Sequence, residues 1–215
     1  MAEADLDKLV DGYRRFREGA YQDNRAHIES LIKEGQRPRI AVVACSDSRV
    51  DPAILFQTDP GDLFMLRNVA NLVPPFEEES SYHGTSAALE FAVLGLGVKH
   101  IVVLGHAQCG GIQLMMNPNP DDSGFQFVPP WVSQLKQAHL QTQAAMPDAG
   151  ESELTRQCEQ NAVLVSLANL ATFPWVRERV DNGELELHGW YIDISGPELS
   201  AYDPESGQFR PIKAS

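Results

Sequence analysis

The chain is poor in cysteine. Three in 215 residues make no disulfide framework, so the thiols are read as reduced and available to a metal. It is also poor in positive charge: 17 Lys and Arg stand against 30 Asp and Glu, a net charge of −13. No basic patch with interleaved aromatics offsets this, and the resulting field would repel phosphates, which argues against nucleic acid as a partner. No apolar run approaches the roughly 20 residues of a membrane span. The opening MAEADLDK lacks the basic end and apolar core of a secretory signal. Repeats, low-complexity tracts and an interdomain linker are absent as well. These absences lead to the expectation of a soluble, cytoplasmic protein of one domain, 1–215, with a helical arm over 1–36 and a core over 37–215.

What is present alternates between helical and strand patterns. Leu6, Leu9, Val10, Tyr13 and Phe16 recur at helical spacing, which predicts an amphipathic helix over 5–17, with a second over about 25–33. This arm packs either on its own core or on a partner subunit. Short apolar, β-branched runs predict strands at about 39–44, 62–66, 100–104 and 184–194. Helices are predicted over 84–96, from Gly110, over 131–145 and 153–171, and briefly after Pro174. Residues 117–130, rich in Pro, Asn, Asp and Gly, read as the longest loop, and Glu77–Glu79 as a solvated acidic run. Such alternation favours an α/β domain with a mostly parallel central sheet flanked by helices.

Two of these strands end in chemistry. IVVLGHAQCGG (101–111) stops being apolar at Gly105, and His106 and Cys109 follow where a helix begins. RIAVVACSDSRV (39–50) ends at Cys45, with Asp47 and Arg49 next on alternate positions. If the two runs are neighbouring parallel strands, their carboxyl ends lie side by side, where ligands of open α/β sheets bind. Cys45, His106 and Cys109 then converge. A helix N-terminus favours the thiolate, the metal-binding form. Two thiolates and one imidazole suit zinc, with a fourth position left open for catalysis. Asp47 either fills that position or stands beside it.

CSDSR at 45–49, RNVAN at 67–71 and GHAQCGG at 105–111, about 60 residues after the first motif, together resemble the β-class carbonic anhydrases. GTSAALEFAV and the stretch from FPWVRERV to GPELSAYD extend the likeness over most of the chain. The resemblance implies zinc on Cys45, His106 and Cys109, and an Asp47–Arg49 dyad beside it. The implied reaction is reversible hydration of carbon dioxide to hydrogencarbonate and a proton, through a hydroxide that zinc makes from water. The same zinc chemistry on another small heterocumulene, such as carbon disulfide, is the alternative. Val42 stands where one subgroup has the tryptophan of an inhibitory bicarbonate site, whereas Gln36 and Phe64 match the pocket of the plant-like subgroup. Phe91 replaces a tyrosine common there. Gln36 and the backbone N–H near Gly110 would orient substrate, and Phe64, Val69 and Phe91 would wall an apolar pocket. That pocket is shared between subunits in the family, which implies a dimer or a multiple of dimers and tips the arm toward a partner. Cys158 is read as a small core residue. His27, His83, His100, His139 and His188 are read as surface or hydrogen-bonded core histidines, since no ligand spacing ties them to a metal.

Overall fold

The computed structural model describes residues 2–78, 82–117 and 124–213. Glu79 and the middle of the loop expected over 117–130 lie outside the described residues. The chain divides into two units, Met1–Arg37 and Pro38–Ser215. The first consists of α1 (Ala2–Glu18), α2 (Ala20–Asp23) and α3 (Arg25–Glu34). Gly19 separates α1 from α2, and Gly35, at φ +82, ends α3 in a conformation that suits glycine. The apolar stripe of α1, from Leu6 to Phe16, is exposed.

The second unit is built on one sheet. Its elements are β1 (Ile40–Cys45), α4 (Pro52–Phe56), β2 (Leu63–Asn68), α5 (Gly84–Glu90), β3 (His100–His106) and α6 (Gly110–Met116). There follow α7 (Val128–Val132), α8 (Lys136–Ala145), α9 (Glu151–Leu170), α10 (Pro174–Asp181), β4 (Glu186–Asp193), β5 (Glu198–Asp203) and β6 (Gln208–Pro211). The strand order is β2-β1-β3-β4-β5-β6. The first four strands run parallel and the last two antiparallel. β1 and β3 are buried along nearly their whole length because helices cover both faces. Ala41, Val43, Ile101 and Val103 pack one core layer with Leu89, Val93 and Phe173. Their alternates Val42, Ala44, Val102 and Leu104 pack the other with Cys45, Cys109, Ile112 and Leu135.

Two glycines let α9 lie close to the sheet. A Cβ on Gly105 would stand 2.5 Å from Val163 Cγ2, and one on Gly189 would stand 2.9 Å from Leu167 Cδ1 and 3.0 Å from Val163 Cγ1. Three expectations need correction. The helix expected over 84–96 is α-helical only to Glu90, and Phe91–Gly95 form a π turn closed by Leu96 N–H donating to Phe91 O at 2.9 Å. The wider turn buries Leu89, Ala92 and Val93 together while Phe91 faces outward. The loop expected to last until 130 already contains α7, which starts at Val128 on Pro129 and Pro130. A 3-10 turn at Ser133–Leu135 then breaks the single helix expected over 131–145. Beyond β4 the chain adds β5 and β6 as a meander, which no sequence expectation covers.

Candidate metal centre

The register sets the site. Ala44 of β1 pairs with Leu104 of β3, so Cys45 and His106 leave the sheet side by side. Gln108 then takes a left-handed φ of +59, which turns the chain so that Cys109 stands at the N-cap of α6. The Sγ atoms of Cys45 and Cys109 are 3.9 Å apart, and the donor atoms of Cys45, His106 and Cys109 all lie within 4.8 Å of one another, all buried. His106 Nδ1 is 2.9 Å from Ala107 O. A carbonyl only accepts, so Nδ1 carries the proton and Nε2 is left with its lone pair. That Nε2 is buried and has no hydrogen-bond partner among the described residues, the state of an atom made to be a ligand. The Cys45 thiol is pulled down to about 4, first by a hydrogen bond from Cys109. The same contact, and then burial, push Cys109 up. The two sulfurs share one proton, which a dication would displace. Two thiolates and an imidazole fit zinc.

Asp47 and Arg49 stand beside this trio. Arg49 Nη2 donates to Asp47 Oδ2 at 2.7 Å and Nε to Oδ1 at 3.0 Å, a bidentate pair, and the Arg49 backbone N–H adds a third bond to Oδ1. The pair holds the Asp47 carboxyl at about 2, below its usual range, the Arg49 hydrogen bond being the largest cause. Arg49 also donates from Nη2 to Gln108 O at 3.0 Å and from Nη1 to Gln108 Oε1 at 3.3 Å, which ties the dyad to the loop between His106 and Cys109. From β2, Arg67 donates to Cys45 O and Asp47 O and pairs with Asp51, fixing the backbone on which Cys45 and Asp47 sit.

Two supports went unnoticed in the sequence. Glu159 of α9 is buried, and its Oε1 accepts from Cys109 N–H at 3.1 Å and its Oε2 from Tyr191 O–H at 2.7 Å. The available signal was its place on the buried stripe of α9, beside Cys158, Ala162, Val163 and Ser166. Gln108 had none, because its role rests on a backbone turn. Of the expected pocket residues, Gly110 opens α6 next to Cys109, and Val69 packs against α6 so closely that a Cβ on Gly111 would be 2.8 Å from Val69 Cγ1. Phe64 and Phe91 meet each other, ring centroids 5.9 Å apart, but Phe64 packs on the core layer opposite Cys45. Phe91 is 53% exposed. Gln36 belongs to the N-terminal unit and is exposed.

A profile of the carbonic anhydrase family matches residues 40–199. The chain is 38% identical over 189 residues to the chloroplastic β-carbonic anhydrase 5 of Arabidopsis thaliana, covering 88% of this chain but only 62% of that relative's length. Its structure superposes on that of the β-carbonic anhydrase CcaA with a TM-score of 0.91 at 32% identity, covering 98% of this chain and 93% of the other. A tetrameric β-carbonic anhydrase of the ascomycete Sordaria macrospora superposes with a TM-score of 0.80 at 26% identity, covering 98% of each chain. By motif, fold and kinship, then, the chain belongs to the β-carbonic anhydrase family.

Proposed function

We propose that this protein catalyses the reversible hydration of carbon dioxide to hydrogencarbonate and a proton, with one zinc ion per subunit on Cys45, His106 and Cys109. The observation that supports this most is the convergence of three buried donors, one an orphaned imidazole nitrogen, beside a carboxylate locked to an arginine. Zinc bound there supplies the Lewis acidity that ionises water near neutral pH. Asp47, anionic throughout the physiological range, accepts a hydrogen bond from the attacking water and turns an oxygen lone pair toward the substrate carbon. Arg49 engages both Asp47 oxygens and so holds the carboxylate beside the three donors, where it would not compete with them for the metal. The N–H of Gly110, in the first turn of α6, orients a substrate oxygen, and Val69 walls the pocket.

Phe64 and Phe91 pack away from the metal ligands of their own chain, which supports a pocket completed across a subunit boundary, with Gln36 the third residue donated. The active unit is then a dimer or a multiple of dimers, with the apolar stripe of α1 packed on a partner, in keeping with the tetrameric relative. Among the described residues no helix is long and apolar enough to cross a membrane. Reduced thiols at the metal suit a cytoplasmic setting.

The test is stopped-flow carbon dioxide hydration with zinc measured on the same sample. Cys109→Ser is expected to lose zinc and activity together. Asp47→Ala is expected to keep zinc and lose roughly 100-fold or more in turnover. If both variants keep full activity, the proposal is wrong.

A further inference from the structure

His100 and His188, 88 residues apart, carry no ligand spacing in the sequence, yet the sheet brings them together. In the parallel register of β3 and β4, His100 pairs with Glu186 and Val102 with His188, so His100, Glu186 and His188 stand on one face. This is the amino end of the two strands. His106 closes the other end of β3, about 20 Å away at the usual rise per residue.

The three facing atoms form a small, nearly equilateral triangle. His100 Nδ1 is 3.2 Å from His188 Nε2, and Glu186 Oε2 is 3.6 Å from the first and 3.5 Å from the second. Points so spaced lie on a circle of radius about 2.0 Å, the length of a zinc–nitrogen or zinc–oxygen bond. An ion just out of their plane would therefore reach all three without moving any of them. Only one of the two facing nitrogens can donate to the other, so the pair holds one proton where three lone-pair donors converge. Two neighbouring β-strands fix the backbone, so little ordering remains to be done on binding.

We infer that His100, Glu186 and His188 form a second metal site, which takes a first-row dication of the zinc class and leaves its remaining positions to water. Two imidazoles and one carboxylate favour such an ion over magnesium or calcium. The site shares no ligand with the cysteine centre and does not depend on the reaction proposed there.

The experiment uses tag-free, full-length protein with its cysteine centre loaded with zinc. The protein is titrated with zinc chloride by calorimetry, and bound zinc per chain is counted after gel filtration. The wild type is expected to take a second equivalent, and His188→Ala and His100→Ala to stop at one, with an unchanged circular dichroism spectrum. Should either histidine variant fail to fold, Glu186→Gln, an exposed change, is expected to weaken the second equivalent at least tenfold. Cobalt(II) as second ion should add absorption without a thiolate-to-metal charge-transfer band, which sets it apart from the cysteine centre. A wild type that stops at one equivalent, a second equivalent that survives His188→Ala, or an unchanged affinity in Glu186→Gln overturns the inference.

Discussion

Replacing Gly105 by alanine tests how the metal centre is held against α9. The new methyl would sit 2.5 Å from Val163 Cγ2, with Glu159 O at 3.5 Å and Tyr191 Cδ2 at 3.6 Å. The last two are ordinary contacts, whereas the first demands a displacement on the order of 1 Å for carbon atoms that normally rest ~3.5–4 Å apart. Val163 is fully buried and cannot swing into solvent, so α9 or β3 must give. Overpacking of this kind costs about 1–3 kcal/mol, and in a chain of this length each kcal/mol lowers the melting temperature by roughly 2–4 °C. Gly105→Ala should therefore melt about 2–12 °C below the wild type when zinc-loaded samples are followed by circular dichroism. Val163→Ala alone should cost about 2 kcal/mol through its void. In the double variant the methyl at 105 enters that void, so the combined loss should fall short of the sum by about 1 kcal/mol or more. Strict additivity, or a Gly105→Ala protein as stable as the parent, would refute the reasoning.

Glu159→Ala leaves the buried Cys109 N–H and Tyr191 O–H without their acceptor, each worth about 1–3 kcal/mol, and should weaken zinc retention against a chelator about 10–100-fold; unchanged retention would remove Glu159 from the metal centre. Asp47 is held at about 2, below its ordinary 3.8. Its ion-pair contribution is therefore complete above the ordinary value and disappears only as pH falls through about 2. Acid should then spare the Asp47–Arg49 pair, so wild type and Asp47→Ala should lose melting temperature in parallel between about pH 7 and 4; a difference between them that closes over that range would contradict this.

The convergence of Cys45, His106 and Cys109 was legible because each closes or follows an apolar run whose strand identity local pattern reveals, and parallel pairing of β1 with β3 then leaves Cys45 and His106 one place to go. β5 and β6 were illegible for the opposite reason. ELSAYD and QFRP are short, partly exposed segments held by cross-strand pairing, β5 on β4 and β6 on β5, and little in their own composition announces a strand. His100 and His188 are invisible in the sequence for the same reason: register is a relation between distant segments. The expected pocket divided in the fold, with Val69 and Gly110 near the donor trio and Phe64 on the opposite layer, where alternation along β2 points it, and Phe91 turned outward against Phe64 by the π turn. Nothing in RNVAN shows that Arg67 clamps two carbonyls of the preceding strand's exit, since that role needs the strands already placed.

The bond from Arg49 to position 108 ends on a main-chain carbonyl, at 3.0 Å, and only secondarily on the Gln108 amide. A tether anchored in the backbone is indifferent to what side chain hangs from it. Position 108 is thus free to vary among residues that tolerate its turn, while the arginine goes on gripping the segment between the imidazole and the second sulfur.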